Sequence, residues 1–401
     1  MKLFQYVVKW VCLASLVAGL AGSASAAFLF LLDWATQTRE VHRVLVWGLP
    51  LLGFAVGWVY WRFGRSVEAG NNLLIDEIHD PQQVVPLRMA PLVLVSTVLS
   101  HLFGASVGRE GTAVQMGGAM ADQLTHVFRL RREDRRLILM AGISAGFASV
   151  FGTPLAGAVF GLEVLALGRL RYDALLPCVV AAVVADQVAL AWGVAHTHYA
   201  VSAVPAVSLW GLLAVALAGG VFGLVGRGFA AGTHALSAFM RQRVPYAPLR
   251  PFLGGLVLVA CFMWLGAWRY AGLGVPVMVE AFTQPVPVWD FLAKGVLTVL
   301  SIGTGFKGGE VTPLFFIGAT LGNALSTVLH QPLGLMAAVG FVGVFAGAAN
   351  TPLACTLMAM ELFGADLGVY ALLACVCSYL SSGHTGIYKA QRVEHRKLSG
   401  Q

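Results

Sequence analysis

The chain has 401 residues, of which 58% are hydrophobic and only 11% are charged. With a mean hydropathy of +0.78, it carries more apolar surface than a water-soluble domain can bury, which excludes a soluble globular protein. The formal net charge of +7 lies mostly in short connecting segments and at the end of the chain, where basic residues orient a membrane protein rather than bind nucleic acid. We therefore expect an all-α integral membrane protein without a nucleic-acid partner.

Long apolar stretches follow one another along the chain. They lie at roughly residues 5–32, 44–61, 89–104, 137–167, 174–195, 208–226, 251–268, 289–303, 311–328, 333–363 and 367–380. A hydrocarbon core of about 30 Å takes roughly 20 helical residues, so the longest stretches are expected to contain a helix break. Irregular backbone at that depth must be buried in protein or line a cavity.

The first stretch is similar to a secretory signal up to Ala24-Ser25-Ala26, which resembles a cleavage site. Apolar residues continue to Leu32, however, and Lys9 interrupts the supposed signal core. These features favour an ordinary first membrane helix.

Gly108-Arg109-Glu110-Gly111-Thr112 opens a glycine-rich apolar segment. The motif predicts a carboxylate at the N-terminus of a half-helix inside the membrane, where an ionisable residue indicates function. Exposed N–H groups and the helix dipole attract an anion to the same place. A carboxylate and a permeating anion would compete there, so Glu110 is the expected proton-carrying gate. A structural ion pair with Arg109 is the alternative.

Motifs of the first half recur in the second at a spacing of about 200 residues. The matched segments are 70–74 with 272–276, 108–112 with 308–312, and 153–156 with 351–354, and Glu163 recurs as Glu361. This order indicates two repeats, at about 1–200 and 205–391, followed by a basic cytoplasmic tail at 392–401 with no soluble regulatory domain. Duplicated membrane units commonly bind their substrate where broken helices meet.

These motifs resemble those of the CLC family of chloride channels and proton-coupled anion transporters, over nearly the whole chain. The family's Gly-Lys/Arg-Glu-Gly-Pro matches residues 108–112, with Thr112 in place of proline, and Gly-x-Phe-x-Pro matches 309–313 in outline. Residues 151–157 followed by Glu163 resemble the stretch after the gating glutamate. The resemblance implies a CLC-type inverted-repeat fold with broken and re-entrant helices, and a homodimer with one pathway per subunit.

Two departures are similar to the fluoride-exporting branch of that family. The chloride proteins have Gly-Ser-Gly-Ile-Pro where this chain has Gly-Asn-Asn-Leu-Leu at 70–74, and Glu310 and Val311 replace an apolar-Phe pair. By this resemblance Asn71 takes the place of the central serine. An amide NH2 offers two donors against one for a hydroxyl, which suits a small, strongly hydrated anion. Asn72 is an alternative donor, and capping a buried half-helix is the structural alternative for both.

The resemblance also implies that Tyr388 closes the anion site from the cytoplasmic side, although a tyrosine near the end of the last segment can be an interface anchor. Val164 occupies the position of the family's inner proton-transfer glutamate, so that route is missing. Glu310 is then the candidate for a second proton carrier or for a partner of Thr312. An ion pair between Glu310 and Lys307 is the alternative.

The sequence therefore predicts a fluoride/proton antiporter of the cell inner membrane, with fluoride, protons and the lipid bilayer as partners and no cofactor or metal. The predicted gating and proton-coupling residues are Glu110 and Glu310, and the predicted anion-binding residues are Asn71, Asn72, Arg109, Gly111, Val311, Thr312 and Tyr388. Glu163, which recurs as Glu361, is predicted to be a structural, hydrogen-bonded carboxylate.

Alternatives within the family are a chloride/proton exchanger and a passive anion channel. The sequence contains no Gly-x-Ser-x-Gly, His-Glu-x-x-His or facing Asp pair, which disfavours an intramembrane enzyme. Asp186 is the only lone aspartate in the middle of an apolar segment and has no evident partners, which disfavours a sodium-coupled symporter.

Overall fold

The structure is a computed structural model that describes residues 1–197, 199–201 and 204–397. The described residues form a helical protein. In chain order its α-helices are α1 (Lys2–Val41), α2 (Leu49–Phe63), α3 (Asn71–His79), α4 (Met89–Leu102), α5 (Glu110–Val127), α6 (Arg132–Phe151), α7 (Pro154–Glu163), α8 (Leu175–Ala191), α9 (Leu209–Arg243), α10 (Leu249–Trp264), α11 (Val275–Glu280), α12 (Asp290–Thr304), α13 (Val311–Leu329), α14 (Leu333–Ala349), α15 (Pro352–Phe363) and α16 (Gly368–Ser381).

Short elements connect these helices. The 3-10 helices are Arg43–Gly48, Arg65–Val67, Tyr172–Ala174, Ala267–Tyr270 and Ala365–Leu367. Two strands, β1 (Ala166–Leu167) and β2 (Arg392–Val393), pair in parallel and attach the end of the chain to the segment after α7.

Five helical segments of the described chain are long and apolar enough to cross a membrane, namely Leu3–Val41, Arg43–Phe63, Tyr172–Ala191, Leu209–Arg243 and Val311–Leu329. Large apolar side chains such as Leu217 and Trp264 lie exposed on the helices, as expected of faces that contact hydrocarbon. The first apolar stretch belongs to a 40-residue helix, as the sequence predicts. Such a helix is about 60 Å long, so it must tilt or extend beyond the hydrocarbon core.

The two longest apolar stretches, 137–167 and 333–363, each contain a helix break, as the sequence predicts. Helix α6 ends at Phe151 and Gly152 has φ 71°, after which α7 begins at Pro154. The second half repeats this arrangement, because Asn350 has φ 58° between α14 and α15. Glycine and asparagine tolerate a positive φ, and a proline in the first turn of a helix loses no hydrogen bond there.

Each broken helix is capped by a glutamate of the other half. Glu163 accepts hydrogen bonds from the backbone N–H groups of Leu353 (3.0 Å) and Ala354 (2.8 Å) at the start of α15. Glu361 accepts the equivalent bonds from Leu155 (2.7 Å) and Ala156 (2.9 Å) at the start of α7. Helix N-termini have unpaired N–H groups and favour a negative charge. The reciprocal bonds agree with the predicted structural role of this pair.

Facing glycines bring the helices of each half into close contact. In the first half a Cβ on Gly117 of α5 would collide with the carbonyl oxygen of Gly142 in α6, and in the second half a Cβ on Gly318 of α13 would collide with that of Gly340 in α14. Small residues let helix backbones approach closely inside a membrane. These contacts fix α5 and α13, which carry the two motifs of the candidate site.

Candidate functional site

The two glycine motifs meet at the centre of the protein. Gly108 and Gly309 form an isolated antiparallel bridge, in which the N–H of each donates to the carbonyl of the other at 2.6 and 2.7 Å. A Cβ on Gly309 would lie 2.8 Å from the backbone nitrogen of Gly111, so the approach requires glycine. The bridge places the N-termini of α5 and α13 side by side.

The carboxylate of Glu110 lies on the N-terminus of α13. Its Oε2 accepts hydrogen bonds from the backbone N–H groups of Thr312 (3.1 Å) and Arg109 (3.1 Å). Its Oε1 accepts from the Thr312 hydroxyl and, at 3.3 Å, from the Arg109 Nε. The side chain is completely buried. An anionic group of the protein therefore already occupies donors suited to an anion.

Two sequence expectations need correction here. Glu110 is the first residue of a helix, as predicted, but α5 has 18 residues and is longer than a half-helix. Thr312 bonds to Glu110, so the suggested pairing of Thr312 with Glu310 is wrong. The alternative ion pair with Arg109 is formed at 3.3 Å, beside the contacts that Glu110 makes with Thr312. Sequence order cannot predict the contact between halves.

A cavity of about 590 Å³ reaches the site from one face of the protein, and we call it the inner vestibule. It is lined by six of the predicted site residues, Asn71, Asn72, Gly111, Glu310, Val311 and Tyr388. Basic side chains surround its mouth, among them Arg65, Arg241 and Lys389. The structure thus brings most of the predicted anion-binding set together around one space.

Arg109 and Thr312 do not line the inner vestibule. They line a separate cavity of only about 10 Å³, together with Tyr199 and Val275. Glu110 lines neither cavity and contacts Arg109 and Thr312 directly. The buried carboxylate therefore lies between a wide vestibule and a space that holds about one water molecule.

Asn71 and Asn72 differ in what they bond. The Oδ1 of Asn72 accepts a hydrogen bond from the backbone N–H of Ala390 at 2.9 Å, which connects α3 to the segment that contains Tyr388. The Oδ1 of Asn71 is buried and has no partner among the described residues. The Asn71 amide lies close to Gly111, because a Cβ on that glycine would be 3.1 Å from Nδ2. Asn71 therefore lies beside the first turn of α5, whereas Asn72 is tied to the backbone of Ala390.

Tyr388 is buried and lies at the inner end of the site. The neighbouring Ile387 N–H donates to the carbonyl of Ala348 at 2.9 Å, and His234 contacts the Gly386 carbonyl at 2.9 Å. The backbone just before the tyrosine is thus held in place. Its hydroxyl makes no hydrogen bond to the described residues, which leaves it available to the vestibule.

Glu310 occupies the N-cap position of α13 and lines the vestibule, but its carboxylate makes no hydrogen bond or ion pair with the described residues. The alternative pairing with Lys307 is not formed, because the ammonium group of Lys307 lies 4.2 Å from the centre of the Tyr60 ring. Glu110 and Glu310 occupy equivalent motif positions, and only the first is bonded.

Comparison with known proteins identifies the family. The family model described as "Voltage gated chloride channel" matches residues 52–383. The chain belongs to the CLC family. The family includes the "Chloride/fluoride channel protein" of Pseudomonas syringae pv. tomato, which is 65% identical over 403 residues, covering 99% of this chain and 89% of that protein. A "Putative chloride channel protein ClcB-like" from Ralstonia nicotianae is 32% identical over 76% of this chain and 74% of its own length.

Two solved structures show the same CLC fold. A crystal structure of a CLC-type fluoride/proton antiporter matches with a TM-score of 0.93 and 35% identity, covering 96% of this chain and 98% of that one. A slow cyanobacterial Cl-/H+ antiporter matches with a TM-score of 0.83 and 21% identity, covering 94% of this chain and 96% of that one. The second likeness concerns the fold alone.

The CLC site contains polar residues that the sequence analysis did not select. Gln115 lines the vestibule, and a Cβ on Gly70 would lie 3.2 Å from its Nε2. Thr97 and Thr112 share a hydrogen bond of 2.7 Å between their hydroxyls, which ties α4 to α5. A polar residue inside the apolar start of α5 is the signal that could have identified Gln115.

A network of ion-paired side chains connects the helices that carry the CLC site. Arg135 of α6 donates to Asp122 of α5 at 2.7 Å and to Glu77 of α3 at 2.9 Å. Asp122 also accepts from the backbone N–H of Val85 at 2.6 Å. Because charges at low solvent exposure are stable only when paired, this network holds the helices of Asn71 and Glu110 in a fixed relation.

Proposed function

We propose that this CLC protein exports fluoride across the cell inner membrane in exchange for protons. The observation that carries the proposal is the position of Glu110. Its carboxylate accepts a backbone N–H and a hydroxyl from Thr312 at the start of α13, where a permeating anion would find its strongest donors. A carboxylate in that position blocks the path between the two cavities.

Protonation of Glu110 couples the movement of the anion to the movement of protons. A neutral Glu110 is a weaker acceptor than a carboxylate, so it loses much of its attraction to the helix terminus and gives way to an anion. When the anion leaves, the carboxylate returns and releases its proton. Glu110 either binds a proton or occupies the site of the anion as a carboxylate. One group therefore links the movement of protons to the movement of anions, which exchange requires.

Fluoride is the proposed anion. Asn71 and Tyr388 present an amide and a hydroxyl at the inner vestibule, and both are neutral donors able to replace water around a small anion. The relatives support this choice, because the solved structure at 35% identity is of a fluoride/proton antiporter and the Pseudomonas relative is called a chloride/fluoride channel protein.

Glu310 is the proposed second proton carrier. It lines the vestibule and has no partner among the described residues that would hold its charge, so it can exchange protons with the water there. The family's usual inner glutamate is replaced by Val164. A proton taken up at Glu310 lies on the same side as Asn71 and needs only to reach Glu110.

The vestibule is proposed to open to the cytoplasm. Basic residues line this cavity, among them Arg65, Arg241 and Lys389. Basic loops of membrane proteins lie on the cytoplasmic side. The proposed assembly is a homodimer, as CLC membership implies. Exposed apolar side chains on helices α8 and α16, such as Val183 and Leu372, offer a suitable face.

The function is tested by flux from proteoliposomes that contain the purified protein. Vesicles loaded with fluoride or with chloride are diluted into anion-free buffer, and release is followed with ion-selective electrodes under an imposed proton gradient and without one. We expect fluoride release that accelerates with an inward proton gradient, and slow chloride release. Fluoride release that ignores the proton gradient would indicate a passive channel, and equal chloride release would indicate a chloride/proton exchanger.

A further inference from the structure

A second cavity lies beside the inner vestibule, and we call it the side cavity. Its volume is about 380 Å³, which is in the range of ligand pockets. The end of α2, the last turns of α9 and the start of α10 contribute to its wall, and part of this wall is shared with the mouth of the vestibule. Because α2 belongs to the first half and α9 and α10 to the second, a ligand in the side cavity would contact both halves.

Three arginines line the side cavity, namely Arg65, Arg241 and Arg250, and none of them forms an ion pair with a described residue. The Nε of Arg65 donates to the carbonyl of Trp61 at 2.9 Å, and its guanidinium group lies 5.2 Å from the centre of the Trp61 ring. The Nε of Arg250 donates to the carbonyl of Val244 at 2.8 Å. Arg241 makes no hydrogen bond within the described part of the chain. The protein thus orients guanidinium groups at the cavity and leaves N–H donors on them unused.

The other charges of the side cavity do not compensate these arginines. Glu68 is the one carboxylate among the described lining residues, and it attracts the neighbouring ammonium group of Lys307. Basic residues elsewhere in the chain are paired, because Arg131, Arg132 and Arg135 each lie within 3.4 Å of a carboxylate. The three arginines of the side cavity therefore carry a net positive charge that calls for an anionic partner from outside the chain.

Aromatic side chains place the side cavity at the level of the lipid headgroups. Trp61 and Tyr246 pack edge to face with ring centres 5.8 Å apart, and both rings are exposed. Tryptophan and tyrosine are enriched where the hydrocarbon core meets water. The exposed apolar side chains of Trp58 in α2 and Leu253 in α10 lie further along these helices, away from the arginines. A lipid whose headgroup occupies the cavity would thus find an apolar face for its acyl chains.

We propose that the side cavity binds the headgroup of an anionic phospholipid, whose phosphodiester accepts hydrogen bonds from Arg65, Arg241 and Arg250. Guanidinium groups fit phosphate oxygens in pairs, and basic pockets between membrane helices bind anionic headgroups. The choline group of a zwitterionic lipid would bring a cation next to the arginines, so the cavity selects against it. The bound lipid connects α2 to α9 and α10 and stabilises the contact between the halves. The proposal does not depend on which anion the protein transports.

The test uses the purified full-length protein in a neutral detergent. It is titrated with phosphatidylglycerol or with phosphatidylcholine, bound lipid is counted by native mass spectrometry, and the Tm is measured in parallel. A third titration uses inorganic phosphate in competition with phosphatidylglycerol, which distinguishes a lipid site from a site for free phosphate. The variants are Arg241→Gln, Arg250→Gln and Arg241→Lys. The matched control is Arg243→Gln, which removes the same charge from the same end of α9 at a position that does not line the cavity.

We expect one phosphatidylglycerol to bind each wild-type chain in preference to phosphatidylcholine and to raise the Tm, and we expect inorganic phosphate not to displace it. Arg241→Gln and Arg250→Gln should each weaken this binding about fivefold, the effect of one basic residue near an anionic lipid, and reduce the gain in Tm. Arg241→Lys should retain most of the affinity, because it keeps the charge, and Arg243→Gln should match the wild type.

Equal binding of the two lipids by the wild type would overturn the proposal. An equal loss of affinity in Arg243→Gln would also overturn it, because the effect would then belong to general surface charge. Displacement of phosphatidylglycerol by inorganic phosphate would assign the cavity to a free anion instead of a lipid. If neither glutamine variant folds, the wild type decides, since the proposal requires its preference for phosphatidylglycerol and the resistance of that lipid to phosphate.

Discussion

Two pairs of glutamates occupy equivalent positions in the two halves of the protein, and the two pairs differ in their hydrogen bonds. Glu163 and Glu361 each accept two backbone N–H groups from a helix of the opposite half. Glu110 accepts hydrogen bonds from Thr312 at the start of α13 and from Arg109, whereas Glu310 faces the inner vestibule without a partner among the described residues. One pair is symmetric in its contacts and the other is not.

The difference separates structural from functional duplication. A helix end needs the same satisfaction of its N–H groups in both halves, so the capping pair remains symmetric. A transport route has two different ends, so the two equivalent carboxylates along it have different tasks. A gate requires that one of these carboxylates can block the route. The asymmetry between Glu110 and Glu310 is therefore where we expect ion coupling to reside, and substitutions to glutamine test it.

The largest effect is expected from Glu110→Gln. Glutamine keeps the size of the side chain, but it neither carries a negative charge nor accepts a proton in exchange. Fluoride-driven proton movement in proteoliposomes, followed with a pH electrode, should fall to the level of empty vesicles, whether fluoride flux continues or stops. Glu163→Gln serves as the matched control, and persistent coupling in folded Glu110→Gln protein would contradict the gating role.

A smaller loss is expected from Glu310→Gln. The substitution removes a proton carrier but no hydrogen bond to the described residues, so the protein should elute as the wild type does in size-exclusion chromatography. Coupled transport should slow at least about tenfold, in the range of a lost acid-base group. Proton uptake at the wild-type rate would instead show that Glu310 carries no proton and that the proton crosses elsewhere.

Substitution of Glu163 or Glu361, the symmetric pair, should lower the stability of the protein and leave its proton coupling intact. In Glu163→Gln one backbone N–H faces an amide NH2 instead of a carboxylate oxygen, at a cost of about 1–3 kcal/mol. A lower Tm in detergent with intact proton coupling is the expected result, and Glu361→Gln should behave alike. A loss of coupling without a loss of Tm would place Glu163 among the functional residues.

The smallest effect is expected at the asparagines. Asn71→Ser should lower the ratio of fluoride to chloride flux by about three- to tenfold. The serine hydroxyl offers one donor where the amide offers two, so it replaces less of the water around the small anion. Asn72→Ser should mainly weaken the bond to Ala390 and leave the ratio nearly unchanged. A change confined to Asn72→Ser would move the ion contact to that residue.

Local signals explain what the sequence could predict. The breaks at Gly152 and Asn350 follow from proline and glycine chemistry, and Glu110 as the first residue of α5 follows from its motif. The partner of Thr312 could not be predicted, because it depends on the antiparallel contact of Gly108 with Gly309. A residue spacing within one half contains no information about how the halves meet.

Side-chain direction accounts for the remaining differences. The sequence places Lys307 three residues before Glu310 and so suggests an ion pair, but the lysine packs on Tyr60 of α2 instead. Gln115 lines the vestibule because α5 passes close to Gly70, directly before α3. Both outcomes depend on tertiary packing between segments that are distant in the chain.

The central claim is that fluoride and the Glu110 carboxylate compete for the donors of Thr312, so that binding one proton accompanies binding one anion. It is tested most directly by isothermal titration of the purified protein with fluoride, in buffers of different ionisation enthalpy, which reports the protons exchanged. The account predicts proton uptake on fluoride binding in the wild type and in Glu163→Gln, and none in Glu110→Gln. Fluoride binding without proton uptake in the wild type, or equal uptake in Glu110→Gln, would contradict it.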